Sequence, residues 1–113
     1  MSKKTKQSNY IATLQVFENK KLKRSLKIYR NRVYTCGRDI ECTIPIQGDQ
    51  YISSTHFKFW CMQFDSTCDP IVYVQDTSLN GTLSVDAKEQ NKVKIKNREI
   101  VVVKNGTCLY FPH

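Results

Sequence analysis

From Tyr10 onward the chain is a succession of short β-prone runs, and no stretch reads as a long amphipathic helix. Ten runs rich in Val, Ile, Thr, Tyr and Phe follow one another: Ile11–Phe17, Leu26–Tyr29, Val33–Cys36, Thr43–Ile46, Phe57–Phe64, Ile71–Gln75, Thr82–Val85, Val93–Ile95, Ile100–Val103 and Cys108–Phe111. These side chains fit a pleated, half-buried surface. Polar, Gly or Pro breaks separate them, among them Gly48-Asp49, Asp65–Pro70, Asn80-Gly81 and Asn105-Gly106. Alternation shows around Ile95, which lies between Lys94 and Lys96. Short strands at this spacing predict an antiparallel sandwich or barrel.

At 113 residues, 40% of them hydrophobic, the chain is long enough for one small core. A domain of this size hides roughly two-thirds of its unfolded surface. Residues 1–9 are polar and basic and read as a disordered tail, with a single domain over 10–113. No apolar run approaches the ~18 residues of a membrane span, and the N-terminus lacks the apolar core of a signal peptide. A soluble, non-exported protein is expected, with no membrane partner. Five cysteines, at 36, 42, 61, 68 and 108, form no C-x-x-C pair and predict reduced, mostly buried thiols. With only His56 and His113 to add, they make no tetrahedral metal set, so neither metal nor cofactor is expected.

The formal charge of +8 favours an anionic partner, either phosphoprotein or nucleic acid. Lys3, Lys4 and Lys6 fit a solvated tail. Lys20, Lys21, Lys23 and Arg24 fit either a hairpin loop or a nuclear-import patch.

Three strings carry the chemistry. Gly37-Arg38, Ser53-Ser54-Thr55-His56 and Asn80-Gly81-Thr82 each fall in a turn-like stretch between β-prone runs. Arginine supplies a permanently charged fork of donors. Serine and asparagine add neutral, directional hydrogen bonds. Together they suit a phosphate and the peptide bearing it. Gly37 is expected to permit backbone geometry that a side chain would block. A catalytic reading of His56 finds no nucleophile and acid in a known pattern.

The order G-R, S-x-x-H, N-G, from about Cys36 to Thr82, resembles that of the forkhead-associated (FHA) domain, a reader of phosphothreonine peptides. The stretches YISSTHFKFWC and YVQDTSLNGT are similar to those of FHA domains in meiosis-specific checkpoint kinases. The resemblance implies an all-β sandwich of two twisted, mainly antiparallel sheets, about ten or eleven strands, with binding loops at one end. It implies that Arg38, Ser53, Ser54 and Asn80 contact the phosphopeptide. Gly37, His56, Gly81 and Thr82 would be structural supports, His56 bracing the loops. Ser54 departs from the Arg or Asn of many relatives. Tyr51 and Leu79 stand where some relatives carry residues that tune specificity, and neither supports an acidic preference three residues after the phosphothreonine. The region after Thr82 departs further from the family pattern.

The chain contains no G-x-G-x-x-G, H-R-D or D-F-G string. With no such machinery here, the resemblance implies a non-catalytic docking module of a longer serine/threonine kinase. The same resemblance implies a phosphothreonine-containing partner, of the HORMA-type meiotic axis class, in the nucleus and on chromosomes. Two alternatives stand beside it. One is a basic β-barrel-like domain binding nucleic acid through Tyr51, Phe57 and Trp60. The other is a degenerate FHA fold with a blocked pocket, against which an intact Arg38, Ser53 and Asn80 argue.

Overall fold

A computed structural model of the protein describes residues 10–18 and 20–111; the basic tail at 1–9 and His113 lie outside the described residues. Ten strands are formed among them: β1 (Ala12–Glu18), β2 (Lys21–Ile28), β3 (Tyr34–Gly37), β4 (Ile44–Pro45), β5 (Phe57–Met62), β6 (Ile71–Asp76), β7 (Thr82–Val85), β8 (Lys92–Ile95), β9 (Ile100–Val103) and β10 (Cys108–Tyr110). One layer is a five-stranded sheet in the order β4-β3-β5-β6-β9. All its pairings are antiparallel except β3–β4, which is parallel. A three-stranded sheet, β10-β7-β8, and the β1–β2 hairpin make up the rest.

Side-chain alternation builds the core. Along β5, Phe57, Phe59 and Cys61 point inward and are buried, opposite Asp76, Val74 and Val72 of β6. Ile28 of β2 and Ile95 of β8 close on them, and Leu14, Leu26 and Leu109 pack at the margin. All three sheets thus feed one core. Tyr34 stacks on Phe59 with ring centroids 5.2 Å apart, and its hydroxyl accepts the Tyr29 N–H at 2.9 Å.

Several sequence expectations shift at their edges. Only Lys20 of the Lys20–Arg24 basic run lies in the hairpin turn, at φ 67°; Lys21 begins β2. Pairing with β1 propagates through these lysines because a two-stranded ribbon leaves their side chains in solvent. The run expected at Phe57–Phe64 stops at Met62, since Asp65 organises a turn that leaves Phe64 92% exposed. Val33 precedes β3 and is exposed. Cys36, Cys42 and Cys61 are buried, whereas Cys68 and Cys108 are exposed, and all five are free thiols.

The connections β3–β4, β4–β5 and β6–β7 meet at one end of the molecule, joined by hydrogen bonds. The β6–β7 segment is no hairpin, although Asn-Gly suits one. It carries the chain from the five-stranded sheet to the three-stranded sheet.

Candidate functional site

Gly37 ends β3 where the β4–β5 loop comes closest. A Cβ built on it would lie 2.2 Å from Ser54 O and 2.8 Å from His56 N, both backbone atoms. The requirement is close approach, since Gly37 is not among the residues with positive φ. That approach lets two loops zip together. Arg38 N donates to Ser53 O at 2.9 Å, Asp39 N to Ser54 O at 3.0 Å, and His56 N to Cys36 O at 2.8 Å.

The side chains of Arg38, Ser53 and Asn80 are each held by one protein contact and keep other capacity free. Arg38 is exposed, and its Nε donates to Ile52 O at 2.9 Å, which fixes the plane of the guanidinium. Its terminal nitrogens have no protein partner among the described residues, where the sole ion pair is Lys23–Glu18. Nearby carboxylates are turned to their own loops: Asp39 Oδ1 accepts Glu41 N, and Asp49 Oδ1 accepts Tyr51 N, each at 2.9 Å. Ser53 Oγ accepts the Leu79 N–H at 2.9 Å, so its own proton remains to be donated. Asn80 Nδ2 donates one hydrogen to Tyr51 O at 3.0 Å, leaving its second N–H and its Oδ1. Ser54 is exposed, and its carbonyl also accepts the Cys42 thiol at 3.2 Å.

His56 is fully buried beneath these loops. The Ser53 N–H donates to its Nδ1 at 3.0 Å, so Nδ1 carries no proton. Nε2 must then be the donor to Gly81 O at 2.8 Å, because a carbonyl only accepts. One neutral tautomer thereby ties the serine loop to the Asn80–Gly81 turn. Phe111 meets the ring edge-on at 4.9 Å between centroids. Gly81 has φ +93°, the left-handed backbone that its turn requires.

The structure brings Gly37, Arg38, Tyr51, Ser53, Ser54, His56, Leu79, Asn80 and Gly81 into one hydrogen-bonded cluster, with Tyr51 and Leu79 exposed at its surface. Thr82 joins from below through a buried network that the motifs do not reveal. Asp76 Oδ1 accepts the hydroxyls of Ser78 and Thr82, each at 2.7 Å, and Ser78 Oγ accepts the Gly81 N–H at 2.7 Å. Asn97 Nδ2 donates to Ser78 O at 2.6 Å, docking the 96–99 turn onto the same loop. Asp76, Ser78 and Asn97 are thus supports missed in the sequence. A signal existed for Asp76: strand parity sets it on the inward face with Val72 and Val74, where a carboxylate needs local donors. Tyr51, Phe57 and Trp60 do not form a stacking platform. Phe57 is 5% exposed in the core, Trp60 stacks on Tyr73 in the five-stranded sheet, and Tyr51 sits on the β4–β5 loop. No group of three or more metal-ligating side chains occurs among the described residues.

Comparison with known proteins agrees with this architecture. The FHA-domain family matches residues 34–111. The meiosis-specific serine/threonine-protein kinase MEK1 of Saccharomyces cerevisiae is 31% identical over 86 residues, which is 74% of this chain and 17% of that kinase. The chain therefore spans about one-sixth of that relative's length. The crystal structure of the MEK1 FHA domain superposes with a TM-score of 0.76 at 28% identity, covering 90% of this chain and 81% of that one. The MEK1 FHA domain in complex with the HOP1 pThr318 peptide gives 0.65 at 30% identity, covering 78% and 80%. The yeast Dun1 FHA domain, bound to a doubly phosphorylated peptide from Rad53, gives 0.65 and covers 98% and 74%; at 24% identity it speaks for the fold alone. With its strand order, its interlocked loops and a family match across most of its length, this chain belongs to the FHA-domain family, a family of binding modules rather than catalysts.

Proposed function

We propose that this domain binds peptides through a phosphothreonine, with Arg38 gripping the phosphate, Ser53 and Ser54 adding hydrogen bonds, and Asn80 holding the peptide backbone beside it. One observation carries the reading: Arg38 is anchored through Nε alone, with its terminal N–H groups unengaged next to an equally half-engaged Ser53 and Asn80. A fixed, charged fork matches phosphate oxygens bidentately. Because the loops are already locked to one another through His56, little order is lost on binding. Tyr51 and Leu79, uncharged and exposed, flank the site and contact residues on either side of the phosphothreonine.

In its full-length context the module docks a serine/threonine kinase onto a phosphorylated partner of the meiotic axis class, in the nucleus. The likeness to MEK1, whose FHA domain has been crystallised with a HOP1 phosphopeptide, supports this. Concentrating kinase molecules on such a scaffold raises their effective concentration for one another.

The test is calorimetric titration of a phosphothreonine peptide into wild type, Arg38→Lys and Arg38→Ala. Losing one partner of a desolvated charged contact costs about 2–5 kcal/mol, so Arg38→Ala should bind at least about tenfold more weakly. Arg38→Lys should recover only part of this, since lysine keeps the charge without the fork. Equal affinity across the three folded proteins rules the site out.

A further inference from the structure

A second positive charge lies at the binding end, on β8. A Cβ built on Gly81 would meet Lys94 Cε at 2.5 Å and Nζ at 3.5 Å, so the lysine chain runs directly over the glycine α-carbon. Strand register alone does not put it there. Lys94 pairs with Leu83 rather than Gly81, and its side chain leans back along β7 to reach the Asn80–Gly81 turn. Gly81 turns its carbonyl to His56 and, having no side chain, leaves room for the lysine stem. The glycine thus serves the turn twice, through its positive φ and through this bare surface.

The ammonium has no acidic partner within 4.0 Å among the described residues. The 96–99 turn, bearing Lys96 and Arg98, is fastened to the same loop by Asn97 Nδ2 to Ser78 O at 2.6 Å and Arg98 N to Asp76 O at 2.7 Å. On the opposite flank, the loops around Arg38 carry Asp39, Glu41 and Asp49. Acidic residues thus line the β3–β4 and β4–β5 loops, while Lys94, Lys96 and Arg98 stand beside the Asn80–Gly81 turn. There the one carboxylate of the 96–99 turn, Glu99, is turned to its own loop by accepting Lys96 N at 2.9 Å. Tyr51 and Leu79 contribute no charge to either side.

We infer that Lys94 is a specificity-determining residue, reading a second anionic group of the bound phosphopeptide in the flank that lies over the Asn80–Gly81 turn. The inference rests on the phosphothreonine reading given above. The anion is a carboxylate side chain or a second phosphate, which share the same charge chemistry. An exposed ion pair of this kind shifts affinity about two- to fivefold, and salt weakens it.

The experiment uses a phosphothreonine peptide with alanine flanks and variants carrying Asp or phosphoserine at each of the three positions on either side. Each is titrated into wild type, Lys94→Met and Lys94→Glu. Methionine keeps an aliphatic stem over Gly81 and removes only the charge. Wild type should prefer an anion at one or more positions of one flank by about two- to fivefold, and by less at high salt. Lys94→Met should abolish this preference without changing affinity for the alanine-flanked peptide, and Lys94→Glu should reverse it. A gain from Asp as well as phosphoserine identifies a general anion site; a gain from phosphoserine alone identifies a second-phosphate site. Absence of any preference in wild type, or its persistence in Lys94→Met, overturns the role of Lys94 while leaving phosphothreonine binding standing. If the alanine-flanked phosphopeptide binds no better than its unphosphorylated form, both readings fall.

Discussion

Gly37→Ala tests whether the binding loops depend on one close backbone approach. The added methyl carbon would sit 2.2 Å from Ser54 O and 2.8 Å from both Ser54 C and His56 N. Ordinary contact begins at 3.4 Å, so the Ser54 carbonyl must retreat by roughly 1 Å. None of the three atoms belongs to a flexible side chain, so the backbone itself has to move. The retreat pulls on Arg38 N to Ser53 O and Asp39 N to Ser54 O, at 2.9 and 3.0 Å. Overpacking costs about 1–3 kcal/mol, and each lost hydrogen bond about 0.5–1.5 kcal/mol. A destabilisation of about 2–4 kcal/mol is expected, which for a domain near this size lowers Tm by roughly 8–16 °C. Binding should suffer beyond stability, because Arg38 and Ser53 are carried by the two segments forced apart. Thermal melts give the first quantity, and phosphopeptide titration well below Tm gives the second. A Gly37→Ala protein that melts within about 2 °C of wild type and binds equally well would refute the close-approach argument.

Further outcomes follow from the buried groups. His56→Ala strands the Ser53 N–H and the Gly81 carbonyl, each costing about 1–3 kcal/mol; Tm and phosphopeptide affinity should fall together, and a loss of affinity with an unchanged melt would contradict its bracing role. Burial, reinforced by Cys42 and opposed by Arg24, pushes the Cys36 thiol up to about 12, and burial raises Cys61 as well. An unfolded thiol ionises near ~8.5, so the folded state holds protons that the unfolded state releases. Stability from this source is complete below that pH and is lost as pH rises toward 12. Urea midpoints should decline across that window, less steeply in Cys36→Val, and an identical slope in the two proteins would remove Cys36 as a cause. In native labelling with a thiol reagent, Cys68 and Cys108 should react ahead of Cys36, Cys42 and Cys61; rapid labelling of Cys61 would contradict its burial.

Much of the fold was legible because its two signals are local. β-prone runs and turn residues mark strands without knowledge of their partners, and each of the ten expected runs overlaps an observed strand. Their limits were less legible, because pairing decides them. Lys21–Arg24 look like a loop until β1 is placed beside them. Phe64 looks like strand until the Asp65 turn ends β5 before it. The cluster around Arg38, Ser53 and Asn80 was visible through three strings in order. What fastens it was not: Asp76 and Ser78 act through near neighbours that no motif singles out, and Asn97 acts between segments distant in sequence. Asn97 Nδ2 reaches Ser78 O across 19 residues, and no dipeptide records that. The reason for Gly37 was half legible: a glycine was needed, but for the nearness of Ser54 and His56 rather than for the backbone of a turn. Lys94 looked like an alternating surface lysine, and only its path across Gly81 distinguishes it.

The most direct test of the central claim is titration of one peptide in three forms, with threonine, phosphothreonine or phosphoserine at a single position, into the wild-type domain. Phosphate engagement by Arg38 predicts binding of the phosphorylated forms and none measurable for threonine. The extra methyl group of phosphothreonine, worth about 0.8 kcal/mol when buried, predicts a preference of several-fold over phosphoserine, aided by the stiffer side chain. Equal binding of the threonine and phosphothreonine peptides would contradict phosphate recognition at this site.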